Sequence, residues 1–309
     1  MIKEYLKANR VSILLILISA VFCVFVPYFI TLINIKDKDY HLYKPEKTGM
    51  YVMMHNKQKL DVEEFLPLAL YAIIPEKFDD ESQKTMIVIL RTYIANKMQE
   101  HENINQIRVD DLGLPCTTYE NLMKKWGDSY EVKYNKVMRL VEETNGERIY
   151  FNNELIYPAY HELSAGITNS GDAEYLKSVE SASDKDAQNF MNILYFSAEN
   201  MKTKLHEYNK DINTEDLSQN VKVTNKENSE YIDHITIGDT DISVTDFVRI
   251  LEIPSEAFTL EPFEDGFKII SKGKGSGKGL SIYGARQMAK QGKNYKDILS
   301  YYYTGIEVK

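Results

Sequence analysis

Residues 272–281 read KGKGSGKGLS, a lysine- and glycine-rich run of the kind that can cradle a phosphate. The spacing decides against that use. A Walker-type loop needs a glycine five residues before its Gly-Lys pair and a hydroxyl residue directly after the lysine. Counting back from Gly277–Lys278 reaches Lys272, and Gly279 stands where the hydroxyl belongs. A second candidate, His161–Glu162, opens like a zinc-hydrolase helix, yet Ala165 occupies the place of the second histidine ligand. No G-x-S-x-G nucleophile elbow occurs. Cys23 and Cys116 are too few for a cysteine zinc site, and Cys23 falls inside an apolar run, so no disulfide between them is expected. No metal and no cofactor is expected from these residues.

The chain that must position such groups has 309 residues, 43% of them apolar, enough for one large or two modest domains. With a net charge of −9 it lacks the basic face that nucleic-acid binding requires. From Val11 to Ile35 no charged residue appears. As a helix this run would extend roughly 37 Å, enough to cross a bilayer with some tilt. It is long for a signal-peptide core, and no A-x-A cleavage pattern follows. Lys3, Lys7 and Arg10 precede it against one acid, Glu4, which favours an internal N-terminus. The expected order is a short cytoplasmic tail (1–10), a transmembrane helix (11–35), a polar stalk (36–48) and an extracytoplasmic domain (49–309) in the cell membrane.

Within that domain the pattern is α+β, a mixture of helices and β-hairpins. A hairpin is expected over 49–60. Asp61 with Glu64 forms a capping-box pattern that opens the helix VEEFLPLALYAI, and Pro75 closes it. Asp80 with Gln83 repeats the device before ESQKTMIVILRTYIANKM, where Met86, Ile89, Leu90, Tyr93 and Ile94 recur at helical spacing. Helix is expected over 117–145 and again over SDKDAQNFMNILYFSAENMKTKLHEY, with a hairpin between them around Asn152–Asn153. Residues 209–230 read as a polar surface stretch. YIDHITIGDTDIS reads as strand, turn and strand, TDFVRILEI as a short helix, and FTLEPFEDGFKIISKG as a hairpin. GARQMAKQ and YKDILSYYY are a closing helix pair.

Four of these stretches, in this order, resemble the stage II sporulation protein D / LytB family of peptidoglycan proteins. VEEFLPLALYAIIPEKFDDESQKTMIVILRTYI resembles that family's leading helix, loop and "K-A-Q-A-V-x-x-R-T-Y" helix, with Lys84, Val88, Arg91, Thr92 and Tyr93 in the matching places. YHELSAGIT is similar to its "H-x-x-S-x-G-x-T" turn through His161, Ser164, Gly166 and Thr168. FVRILEIPSEAFTLE resembles "R-x-x-L-x-L-x-S-x-x-F", and KGKGSGKGLSIYGA resembles "G-H-G-x-G-M-S-Q-Y-G-A". The resemblance implies a membrane-anchored lytic transglycosylase acting on glycan strands. It also implies a groove that includes Arg91, Tyr160, His161, Ser164, Gly166, Ser276, Gly277, Ser281 and Tyr283, with the glycines letting backbone approach the glycan.

That chemistry needs one well-placed carboxylic acid to protonate the glycosidic oxygen. In the family it is the glutamate of "E-M-P", and the matching residue here is Ile73, which has no proton to give. Ser276 and Ile282 replace the fourth motif's histidine and glutamine. Glu76 lies three residues on, but Pro75 pushes its neighbourhood out of helical geometry. The reading from sequence is a wall-facing pseudoenzyme that binds glycan or a sporulation-complex partner. An active transglycosylase using Glu76 and a stimulator of a wall amidase are the alternatives.

Overall fold

The computed structural model describes residues 40–75, 77–101 and 105–309, with residues 19, 21–23, 25 and 26. Among the described residues no helix is long and apolar enough to cross a membrane. The expected membrane span lies largely outside them. Residues 44–309 form one compact unit.

Its first half is built on helices. Strand β1 (Tyr51–Met53) pairs antiparallel with β2 (Lys59–Asp61), the expected hairpin, and parallel with β3 (Gln106–Arg108). Asp61 then caps α1 (Val62–Ile73): its carboxylate accepts from the Glu63 amide while Glu64 reaches back to the Asp61 amide. The sequence pattern is realised here. Pro75 forces Ile74 into extended backbone and ends the helix. Helix α2 (Asp80–Glu100) starts one residue early, at an Asp79 cap that makes no side-chain hydrogen bond. The expected Asp80–Gln83 box does not form, because Gln83 is turned inward, donating to the Phe78 carbonyl and accepting from the Tyr71 hydroxyl. The short α3 (Val109–Leu112), then α4 (Tyr119–Trp126) and α5 (Tyr130–Glu143), follow, the last two separated at Gly127.

The helices α1, α2 and α5 are joined by a buried ion pair. Arg91, in the middle of α2, is wholly buried and grips Glu63 in two parallel bonds of 2.7 and 2.8 Å. Its remaining N–H groups donate to the carbonyls of Val141, Thr144 and Glu147 at the end of α5. Arg91 was expected in the glycan groove. It cannot be there, because every donor of its fork is spent inside the core.

Strands β4 (Ile149–Phe151) and β5 (Glu154–Leu155) make the Asn152–Asn153 hairpin, both asparagines at positive φ. The next strand, β6 (Tyr160–His161), returns below. The sequence 183–208 departs from its helical expectation: β7 (Met191–Ser197) is a strand, and α6 (Ala198–Tyr208) begins only after the Ser197 cap. The uninterrupted ILYF run pairs with β12 instead, and tertiary pairing overrides the weak helical spacing. Residues 209–230 also hold more than surface coil. Helix α7 (Leu217–Asn220) and β8 (Val221–Asn225) send Leu217, Val221 and Val223 into a second core. That core is completed by β9 (Ile232–Ile237), β10 (Thr240–Ile242), α8 (Val244–Ile250), β11 (Phe258–Phe263) and β12 (Gly266–Lys272). Its sheets run β10-β9-β8 and β11-β12-β7. Finally β13 (Leu280–Ser281), α9 (Ile282–Lys290) and α10 (Tyr295–Tyr302) lead to β14 (Glu307–Val308), which pairs with β4.

Replacing Glu63 by Gln strands a buried guanidinium charge, a loss of about 3–5 kcal/mol. Urea unfolding should show that loss for Glu63→Gln and for Arg91→Met. The double variant should lose clearly less than the two singles together, because the residues act as a pair.

Candidate functional site

A cleft of about 750 Å³ opens between the end of α1, the 160–163 segment, the 186–189 turn and the start of α9. Ile73, Pro75, Phe78 and Pro115 form one wall, and Tyr160, His161, Glu162, Ile282 and Tyr283 the other. The residue at the expected position of the catalytic acid therefore does face a cleft, and it faces it as a hydrocarbon side chain.

Two local devices hold the second wall. The first is the glycine run. Gly273, Gly275, Gly277 and Gly279 all adopt positive φ, so the loop zigzags closely along the 159–169 segment. A Cβ on Gly279 would collide with the Ala159 carbonyl, and one on Gly277 with the Tyr231 ring. The glycines let backbone approach the protein's own backbone and Tyr231, which corrects the expectation that they approach a glycan. The loop delivers hydrogen bonds between Leu163 and Lys274 in both directions, and from the Asn169 amide to the Gly277 carbonyl. It then runs into β13, which lies parallel to β6 with Leu280 beside Tyr160 and Ser281 beside His161.

The second device is Asp184, fully buried. Its Oδ2 accepts from the Ser164 amide at 2.8 Å and from the Ser281 hydroxyl at 2.7 Å. The same Ser281 oxygen caps α9 by accepting from the Gly284 amide. Burial pushes the Asp184 carboxyl up from its ordinary value, and the hydrogen bonds from Ser164 and Ser281 oppose that rise. Ser164, Gly166, Gly277 and Ser281, all expected in the groove, are thus buried scaffold. Of that group, only Tyr160, His161 and Tyr283 line the cleft. Ser276 lines a neighbouring cleft of about 440 Å³ with Tyr93, Tyr157, Glu256 and Lys278, and Tyr160 is shared by both. Glu76 lies outside the described residues.

His161 is the most constrained group of the site. Its Nδ1 lies 3.1 Å from the Lys278 carbonyl, which can only accept, so Nδ1 carries the proton. Nε2 is then a bare lone pair, buried and without a partner among the described residues. Burial lowers the imidazole pKa to about 4, partly offset by the bond to Lys278. Burial also pushes the Tyr160 phenol up to about 12, with Tyr157 adding to the rise. The site accordingly offers a neutral acceptor and a neutral phenol among apolar walls.

Among the described residues two carboxylates line the cleft, Glu162, which entered the sequence reading only through the rejected zinc motif, and Asp186. Glu162 follows His161 and alternates outward, where it pairs with Lys274 at 2.6 Å. Both are exposed, and neither is buried among apolar groups in the way that lets an acid hold its proton. Among the described residues no three metal-ligating side chains gather at one place.

The cleft is thus walled by a proline-ended helix and a glycine-braced turn. Residues 52–151 match the family described as Stage II sporulation protein. Over 263 residues the chain is 28% identical to stage II sporulation protein D of Bacillus subtilis (strain 168), covering 81% of this chain and 75% of that one. The corresponding protein of Bacillus amyloliquefaciens is 26% identical over 82% of this chain and 76% of its own. These matches support the stage II sporulation protein D family for this chain.

The His161 pKa carries a pH prediction. The folded value lies below the ordinary 6.5, so its contribution is complete above about pH 6.5 and is lost as pH falls toward about 4. The loss is roughly 3 kcal/mol. The difference in unfolding free energy between wild type and His161→Gln, followed through that window, should shrink accordingly. Nitrogen NMR should show Nε2 still unprotonated at pH 5.5.

Proposed function

We propose that this chain is a non-catalytic, membrane-tethered member of its family that binds peptidoglycan glycan strands in the cleft beneath Ile73, during wall remodelling in sporulation. Ile73 carries the reading. It lines the cleft where the family resemblance puts a proton-donating glutamate, and the cleft's described carboxylates are exposed rather than buried among apolar groups. Glycan binding is supported by the remaining surface. The rings of Phe78, Tyr160 and Tyr283 can pack against sugar faces, while the buried Nε2 of His161 is an acceptor for a sugar hydroxyl. Membrane tethering is supported by the uncharged run from Val11 to Ile35, and the basic residues before it favour an external domain. The relatives' names, stage II sporulation protein D, support the process.

The test incubates residues 44–309 with purified peptidoglycan and with peptide-free glycan strands, and examines the products by mass spectrometry for anhydro-muramic ends. The protein should sediment with the wall material and release no anhydro products. Anhydro products that disappear in Glu76→Gln would establish an active transglycosylase instead. In Ile73→Glu, which restores a carboxyl to an apolar wall, anhydro products should appear at a rate well above wild type.

A further inference from the structure

The sheet β11-β12-β7 has two edges, and the chain treats them differently. The β11 edge carries Glu261 and Pro262, a charge and a residue that cannot donate to a ladder, both familiar guards against strand addition. The β7 edge has neither. Residues 187–198 read AQNFMNILYFSA, with no charge and no proline. The strand pairs with β12 without a bulge from Met191–Lys272 to Ser197–Gly266, and among the described residues no strand pairs with its other side.

The outward face of this edge is apolar as well. Met191 is 53% exposed, Ile193 51% and Tyr195 61%, and the Tyr195 ring lies 5.3 Å from that of the exposed Phe263. The inward residues, Leu194 and Phe196, are packed on the second core. A membrane surface would cover the side chains but leave the backbone donors of the edge unpaired. A strand satisfies both.

We propose that β7 pairs antiparallel with β7 of a second copy of this chain, extending two three-stranded sheets into one of six. The absence of charge along this edge favours a second copy. A heterologous strand of either sign would meet no complementary charge here, whereas two uncharged strands meet without repulsion. In the register that uses all seven residues, the two-fold axis passes through Leu194. Each Ile193 then stands opposite Tyr195 of the other copy, an aromatic against a β-branched side chain, which is a favoured cross-strand pair. Such a contact is isologous and closes at two copies.

The test is sedimentation velocity of the full-length chain in detergent micelles over a concentration series. Wild type should show a reversible dimer. Ile193→Lys with Tyr195→Lys puts ammonium opposite ammonium twice across the axis, and self-association should weaken at least ~10-fold. Ile193→Lys with Tyr195→Glu puts opposite charges face to face in the same register, so the dimer should return. Val132→Lys, at a side chain exposed on α5, should change nothing. These side chains are already in water, and circular dichroism should confirm that each variant is folded. A wild type that stays monomeric, a dimer that survives the double lysine variant, or no recovery with lysine and glutamate would each overturn the proposal.

Discussion

The fold depends on the enclosure of one guanidinium. Arg91 sits in the middle of α2 with no contact to water, and a buried charge is tolerated only when paired and fully hydrogen-bonded. Glu63 supplies the counter-charge from the first turn of α1, and three carbonyls at the end of α5 take the remaining donors. The geometry leaves little freedom, because a bidentate fork fixes both distance and angle. Once α1 is locked to α2 at its start, its far end is also placed, and that end carries Ile73 and Pro75 into the cleft. An interaction remote from the site therefore sets where one of its walls stands.

The opposite wall depends on two subtler constraints. Glycines at alternate positions from 273 to 279 allow a backbone path that no other residue would permit so close to the 159–169 segment. Asp184 then ties the Ser164 turn to the start of α9 through a single oxygen. The glycine run serves packing: the glycines bring the loop against its neighbours, and its Lys278 carbonyl fixes the tautomer of His161. The dimer edge on β7 belongs to the second core and begins just after the 186–189 turn that lines this cleft.

Local structure was legible where the signal was local. The Asp61–Glu64 cap, the Asn152–Asn153 turn, the hairpin before Lys272 and the closing helices lie within a few residues of what specifies them. The failures share a cause. Gln83 left its expected cap for partners at Phe78 and Tyr71, and β7 became a strand because β12, more than seventy positions away, was there to pair with it. Arg91 could be read as a groove residue because nothing near it in sequence announces Glu63, 28 positions earlier. Asp184 was missed for the same reason: its partners Ser164 and Ser281 are 20 and 97 positions distant. In the site itself Ile73, Tyr160, His161 and Tyr283 line one cleft. The buried serines and glycines of the same motifs proved to be the frame that holds it.

The central claim is that the cleft beneath Ile73 is a glycan-binding surface in which His161 acts as a neutral acceptor. The most direct measurement is a titration of the isotopically labelled domain with peptide-free glycan strands, following the His161 imidazole nitrogens by NMR. Saturable binding with a shift confined to Nε2, and Nδ1 still protonated toward Lys278, is the expected result. Binding that leaves both nitrogens unmoved, or no binding at all, would contradict it.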